Sequence, residues 1–408
     1  MSKKIYIIGG GAAGFFCAIQ LAEKNPDFSI TIIEKSTKLL SKVRISGGGR
    51  CNVTHACFEA KELIKNYPRG SKELLGAFTR FGPTEMINWL KSKQVALKTE
   101  ADGRMFPVSN NSETIVNCFL DTSQLLGIKL EMECSVISMQ QLQNGILLEI
   151  QKQHNSVQQL KADAVVVCTG GFNQLKAYDF LKNTEHKILP PVPSLFTFNI
   201  PNNPVHQLMG LSVPNVKVKI KCSTYFTEGP LLITHWGFSG PAILKLSAFA
   251  AQELAKENYH TTVTINWLND EQNEVRERLQ NSFRANTKTQ IVNLPVVALP
   301  KRLWHFLVAK AEIPSFKLCS ELTKKELNKL VELLVNDQYE MRGKTTFKEE
   351  FVSCGGIDLK EVDFKTMQSK KWNKLYFAGE ILNIDGITGG FNFQAAWTTA
   401  WIAAQAID

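Results

Sequence analysis

Lys4-Ile5-Tyr6-Ile7-Ile8-Gly9-Gly10-Gly11-Ala12-Ala13-Gly14 decides the fold. Five residues of buried-strand character run straight into a Gly-x-Gly-x-x-Gly turn, and an apolar-periodic helix follows through Phe15, Ala18, Ile19 and Ala22. A second strand, Ser29 to Ile33, ends at Glu34 and closes a β-α-β unit of about 30 residues. Gly9 permits the tight turn, Gly11 lets backbone N–H groups approach a pyrophosphate, and Gly14 lets helix and strand pack closely. Ala12 and Ala13 open the helix, whose N-terminal partial charge favours an anion. Glu34 stands twenty residues beyond Gly14, where a carboxylate accepts both ribose hydroxyls of an adenosine and repels a 2′-phosphate. The unit reads as a dinucleotide site.

The far end of the chain supplies more of the same sheet. Lys374 to Ala378 is a short apolar strand, followed by Gly379-Glu380, a glycine-rich turn and a helix from about Gly390 to Ile407. Ala164 to Cys168 is a buried strand stopped by Thr169-Gly170-Gly171, a crossover that passes close to a bound cofactor; Lys129 to Ile137 and Ile146 to Lys152 read as a β-ribbon feeding it. The C-terminal end favours FAD over NAD. Glu380 places an acid where it can bind a ribityl chain, and Thr388-Gly389-Gly390-Phe391-Asn392 offers N–H groups at a helix start to a flavin pyrimidine.

The chain has 408 residues, 44% hydrophobic and 21% charged, which predicts a soluble globular protein with two or three cores and excludes disorder or a disulfide scaffold. No apolar run reaches the roughly 18 residues of a membrane span, and Ile5 to Ile8 is too short for a signal segment. Nine cysteines without a CxxC pair suggest neither disulfides nor a metal site, and predict a reducing cytoplasm. Composition changes at Pro190-Pro191-Val192-Pro193. Short strands follow (Leu195–Ile200, Val216–Cys222, Leu231–Ile233, Thr262–Trp267), then helices over Glu271–Phe283, Lys301–Ala311 and a Thr323-Lys324-Lys325-Glu326 cap leading to Val335. The expected organisation is a dinucleotide domain over 1–190 and 352–408, an inserted β domain over 191–269 and 337–351, and a helical subdomain over 270–336.

Lys42-Val43-Arg44-Ile45-Ser46-Gly47-Gly48-Gly49-Arg50-Cys51-Asn52-Val53-Thr54, Thr234-His235-Trp236-Gly237-Phe238-Ser239-Gly240-Pro241-Ala242 and Gly379-Glu380 through Ala396 resemble the YhiN-like flavoproteins, also called the BaiN/RdsA family. The resemblance runs nearly end to end. It implies an α/β fold: an FAD-binding Rossmann-like domain of the glutathione-reductase type, carrying a β-barrel-like insertion that is itself interrupted by a helical subdomain. It also implies an NAD(P)/FAD-dependent oxidoreductase. The family's labels include aminoacetone oxidase, reductase of bile-acid enones and dihydrouridine synthase acting on large-subunit ribosomal RNA.

In the 46–54 loop, Ser46, Gly47, Gly48, Gly49, Arg50 and Asn52 give a backbone free to lie flat against a ring system or phosphate. Lys35, Lys42 and Val136 complete the set expected around the cofactor. Arg50 beside Cys51 would ease proton loss from the thiol and make it a proton donor to a carbanion formed by hydride transfer; the alternative is a small buried hydrophobe. His235, in a turn of the insertion, is the rival donor, its alternative being a structural hydrogen-bonding role. No second Gly-x-Gly-x-x-Gly exists, so NAD(P)H visits the flavin transiently or another donor replaces it.

The net charge is +9, and residues 35–104 alone carry 14 basic against 6 acidic residues. With Phe78, Phe81 and Trp89 interspersed, this segment reads either as a polyanion surface or as a solvated face. The leading expectation is reduction of a carbon–carbon double bond, uridine to dihydrouridine in ribosomal RNA. A second is a small-molecule oxidase or enone reductase whose pocket is built from Phe196, Phe198, Phe226, Trp236 and Phe238. A third is a flavin-binding redox module without enzymatic activity.

Overall fold

The computed structural model describes residues 2–152, 156–294, 296–345 and 352–408. It falls into two compact units, residues 1–193 with 348–408, and residues 194–347. Residues 346–351 of the expected second segment of the β domain lie outside the described residues. Among the described residues no helix is long and apolar enough to cross a membrane.

The first unit is built on five parallel strands: β1 (Lys4–Ile8), β2 (Ser29–Ile33), β3 (Lys129–Glu131), β4 (Ala164–Val167) and β5 (Leu375–Phe377). Their spatial order is β5-β4-β1-β2-β3, and two short strands, Gln368–Ser369 and Val362–Asp363, extend the β5 edge in antiparallel fashion. Ile7 aligns with Ile32 on one side and Val166 on the other. The central strands are covered on both faces, so Ile5, Ile7, Ile32, Val165 and Val166 are all fully buried, and their sequences read as continuous apolar runs rather than alternation.

Helix α1 (Ala12–Lys24) follows β1, and α2 (Phe391–Ala406) packs against it. α2 is buried almost all round, so polar residues on it must be satisfied internally. Thr54 Oγ1 donates to Gln394 Oε1 (2.6 Å), Gln394 Nε2 to Thr398 Oγ1 (3.1 Å), Thr398 Oγ1 to Phe81 O (2.7 Å), and Trp397 Nε1 to Val53 O (3.0 Å). These bonds fix the last helix to Val53 and Thr54 on one side and to Phe81 on the other.

The expected ribbon differs in one respect. Residues 129–131 leave it to form the β3 edge of the parallel sheet, and the ribbon is a separate three-stranded meander, Ser135–Leu142, Gly145–Gln151 and Val157–Ala162. The break falls at Glu133, which takes a left-handed φ of 52°.

The second unit holds a seven-stranded sheet in the order Asp337–Arg342, His260–Asn266, Ser212–Ile220, Phe226–Ile233, Gly237–Ser239, Thr197–Asn199, Lys344–Thr345. Its two edge strands are consecutive in the chain, separated by Gly343 (φ 90°). Gly343 N–H donates to Tyr259 O at 2.9 Å while its carbonyl accepts from Asn199 N–H at 3.2 Å, so this residue closes the sheet into a barrel. Helices Gln272–Ala285, Lys301–Lys310 and Lys324–Val335 share one core with the barrel through Leu279, Leu307 and Leu330, together with Val218, Phe238 and Ile265. They belong to the same compact unit because each turns an apolar stripe into that common core, the last helix packing on the other two as well as on the sheet. The last of these helices starts at the Thr323–Glu326 capping box, with Thr323 Oγ1 accepting from Glu326 N–H at 3.2 Å.

Candidate functional site

The turn after β1 is shaped by what each glycine excludes. A Cβ on Gly9 would stand 2.5 Å from Cys168 O and one on Gly14 1.9 Å from Gly9 O, whereas at Gly11 nothing lies within 4 Å. Two glycines let strand and helix close up, and the third leaves room at the N-terminus of α1. That end, at Ala12 and Ala13, has no side-chain cap and no acid in its first turn among the described residues.

Glu34 braces this turn: Oε2 accepts from Gly10 N–H (2.7 Å) and Oε1 from Ser36 N–H (2.8 Å). Each oxygen keeps a second lone pair for a hydroxyl. The Glu34 carbonyl accepts from Cys134 N–H at 3.0 Å, which brings the start of the meander, and with it half-buried Val136, toward the same strand end. The Lys35 ammonium lies 5.1 Å over the Phe172 ring, just beyond Gly171.

The triple-glycine loop is a run of left-handed backbone, with φ of 59°, 68° and 80° at Gly47, Gly48 and Gly49 and 60° at Cys51. Ser46 starts it, its hydroxyl donating to Val43 O (2.9 Å), and Cys51 N–H returns to Ser46 O (2.9 Å). Gly47 rests against Phe106, while Gly48 and Gly49 have nothing within 4 Å where a side chain would stand. Asn52, with its amide turned as its neighbours require, donates to Thr54 O (3.0 Å) and Met105 O (3.2 Å) and accepts from Gly390 N–H (3.0 Å).

At the C-terminal end, Lys42 Nζ pairs with Glu380 Oε2 at 2.5 Å. Gly170 (φ 75°) comes near enough that its Cβ would stand 3.8 Å from that oxygen, and a Cβ on Gly171 would meet Ser353 at 3.0 Å. Gly379 N–H donates to Thr399 Oγ1 (2.9 Å), and Gly379 approaches Ala13 so closely that an added Cβ would lie 2.9 Å from it. Thr169 and Gly170 thus share the C-terminal edge of the sheet with Gly11, Glu34 and Glu380, where parallel α/β sheets hold ligands. Gly389 and Gly390 turn the chain into α2, and a Cβ on Gly390 would strike Thr54 O at 2.6 Å.

Several expectations are corrected here. Gly390 N–H, expected at the cofactor, goes to Asn52, whereas Asn392 spends only its side chain on Gly386, accepting from its N–H (2.8 Å) and donating to its carbonyl (3.0 Å), which leaves untouched the backbone N–H on which its expected role rested. What α2 keeps to offer a ligand are first-turn N–H groups, beginning at Phe391, that helical geometry leaves without an intrahelical acceptor. Arg50 does not activate Cys51: its guanidinium bonds Glu100 (2.6 Å) and lies 4.0 Å over Phe106. The thiol is fully buried, and burial pushes it up to about 12, opposed only by a hydrogen bond to Ser46. His235 is exposed on the barrel, edge-on to Trp236 at 4.3 Å.

The basic segment is also less free than its composition suggests. At least seven of its fourteen cations are ion-paired, four of them (Lys42, Arg44, Arg69, Lys93) to acids outside the segment. Phe78 and Phe81 are core residues, and Trp89 packs edge-on to Phe16 at 5.0 Å. Phe196, Phe198 and Phe238 fill the barrel core instead of lining a pocket, Trp236 is half-buried, and Phe226 is exposed. Sequence reasoning missed His55, whose ring stacks on Phe391 at 4.7 Å, and Tyr67 and Arg69, which no motif spacing singles out, and it gave no role to Gln394 inside the quoted family motif; the doublets Tyr67-Pro68 and Arg69-Gly70 offer only the local signal of a turn.

The model of the HI0933-like protein Rossmann domain matches residues 3–406. The chain is 29% identical over 410 residues to the ribosomal RNA dihydrouridine synthase of Haemophilus influenzae, covering 98% of both chains. It is 24% identical over 413 residues to the 3-dehydro-bile acid delta(4,6)-reductase of Clostridium scindens, covering 99% of this chain and 98% of that one. Among solved structures, a 3-ketosteroid-delta4-(5alpha)-dehydrogenase from Rhodococcus jostii shares the fold with a TM-score of 0.53 at 12% identity, over 98% of this chain and 97% of that one.

Proposed function

The chain belongs to the HI0933-like Rossmann-domain family, and from that premise we propose that it is an FAD-dependent oxidoreductase that reduces a carbon–carbon double bond. The observation that carries this reading is the arrangement of Glu34 and Glu380 beside the open N-terminus of α1, with clear space at Gly11, Gly48 and Gly49. The N–H groups of α1's first turn would hold the pyrophosphate, Glu34 the adenosine ribose, and Glu380 with Lys42 the ribityl hydroxyls. The first turn of α2 would face the pyrimidine, its positive end favouring the charge that accumulates there on reduction. FAD, when bound, supplies the hydride chemistry that no side chain of this protein provides. NAD(P)H is the electron donor in this proposal, visiting without a nucleotide fold of its own.

The acceptor we propose is uridine in large-subunit ribosomal RNA. Support comes from the Haemophilus influenzae relative and from exposed cations that have no acidic partner among the described residues, among them Lys38, Lys61, Lys72 and Lys91. Mass spectrometry of large-subunit rRNA from the host with the gene deleted should show dihydrouridine lost and restored on complementation; unchanged content sinks this acceptor. A second reading, reduction of a small-molecule enone, is favoured by the extensive pairing of the basic segment and by the bile-acid relative. Turnover of an enone without RNA, insensitive to salt, would decide for it.

A further inference from the structure

Residues 66–70 grip the loop that leads into α2 at four points. Arg69 pairs with Asp385 in a two-pronged contact, Nε 2.5 Å from Oδ1 with Nη2 on Oδ2. The same two residues form an isolated antiparallel backbone bridge. Ile387 N–H donates to Asn66 O at 2.9 Å, and Tyr67 Oη donates to Phe391 O at 2.6 Å. Gly70, with φ 83°, lies so close beneath Ile384 that a Cβ there would stand 2.7 Å from its Cγ1. The Asp385 carboxylate is completely buried and the Arg69 side chain is 11% exposed.

An ion pair this deeply buried is an inefficient stabiliser, because desolvating both charges offsets most of their attraction, and apolar side chains of similar size would close the loop as well. What a planar guanidinium on a carboxylate adds is a fixed orientation. Tyr67 acts at the neighbouring point, on the carbonyl of the first residue of α2, with its ring edge-on to Phe391 at 6.1 Å. Both contacts therefore set the direction in which the N–H groups of that first turn point.

We propose that Tyr67 and Arg69 are positioning residues that hold loop 384–391 in the one arrangement that aims the first turn of α2 at the flavin pyrimidine. This inference rests on the FAD reading above. A loop held only for stability would need no such orientation, whereas a ring whose pyrimidine becomes negative on reduction is sensitive to the angle of the dipoles facing it.

The test uses the full chain carrying Tyr67→Phe and, separately, Arg69→Lys. Tyr67→Phe preserves the buried ring and removes one hydrogen bond. Its flavin-free melting temperature should stay near that of the unaltered protein, while the FAD dissociation constant rises about fivefold and the midpoint potential of the bound flavin falls. Arg69→Lys keeps the charge without the planar fork and should move both readouts the same way, further than Tyr67→Phe. Unchanged affinity and potential in both variants, with or without a lower melting temperature, overturns the proposal. An unaltered chain that takes up no FAD overturns the cofactor reading instead, so the two failures are told apart.

Discussion

Lys42 and Glu380, separated by 338 residues of sequence, meet in an ion pair of 2.5 Å at the C-terminal edge of the parallel sheet. The Lys42 side chain is 48% exposed and that of Glu380 14%, so solvent screens the lysine's charge more than the carboxylate's. In the proposed FAD mode a ribityl hydroxyl would meet here an acid already paired with a cation. Glu380→Gln should therefore raise the FAD dissociation constant by about tenfold, the loss of a charged acceptor. Lys42→Met, which removes only a half-exposed partner, should raise it by about threefold or less. Flavin fluorescence titration of both variants checks the order; the reverse order would place the ribityl chain elsewhere.

Glu34 braces the Gly10 turn, and in the proposed binding mode its remaining lone pairs would take the ribose hydroxyls. Glu34→Arg removes both functions and sets a cation against the N-terminus of α1. The purified variant should be folded by circular dichroism and lack visible flavin absorbance, even after incubation with FAD. Full occupancy would contradict the assigned orientation of the dinucleotide.

How much of this was legible in the sequence follows from the range of the interactions involved. The Gly9–Gly14 turn, Glu34 and the Thr323–Glu326 cap are local devices, written within a few residues, and they stand where the spacing puts them. The pairing of Asn52 with Gly390 and of Arg69 with Asp385 joins segments more than 300 residues apart, and no periodicity encodes it. The same limit misled the reading of charge: cations clustered in sequence between Lys35 and Arg104 are neutralised by Glu23, Glu113, Glu380 and Asp385 from elsewhere. The aromatic residues interspersed among them are likewise not part of a polyanion surface, because composition carries no information about burial. Phe81 is a core residue, 5.4 Å from Phe16.

Cys51 illustrates a third kind of miss, since its neighbour Arg50 is adjacent in sequence yet turned toward Glu100 and Phe106. A buried thiol raised to about 12 keeps its proton throughout the neutral range and presents no surface to solvent. Cys51→Ala should accordingly retain FAD and keep kcat within about twofold, while His235→Ala, at an exposed imidazole, lowers it by about a hundredfold if that ring is the general acid. Steady-state kinetics with the identified acceptor separates the two; a large loss in Cys51→Ala with flavin still reduced would return the role to the thiol.

His186 gives the first unit a pH dependence whose sign is fixed by its hydrogen bonds. Thr184 Oγ1 donates to Leu181 O (2.6 Å), so it accepts from His186 Nδ1–H at 2.7 Å. Ser369 Oγ accepts from Lys371 N–H (3.0 Å) and Trp372 N–H (2.9 Å), which leaves its proton for Nε2 at 2.8 Å. The neutral ring is satisfied at both nitrogens, and a second proton would point at Ser369 O–H. Burial, aided by Lys371 and opposed by Glu361, lowers its pKa from 6.5 to about 4. Below pH 6.5 the unfolded chain gains a proton that the folded chain refuses, so this contribution to stability is complete above pH 6.5 and is lost as pH falls toward 4. Between pH 7 and pH 5 the loss is about 2 kcal/mol. Urea midpoints at the two pH values, compared with those of His186→Gln, should show the wild-type chain losing more stability than the variant by that margin; equal losses would mean that the ring is protonated in the folded state.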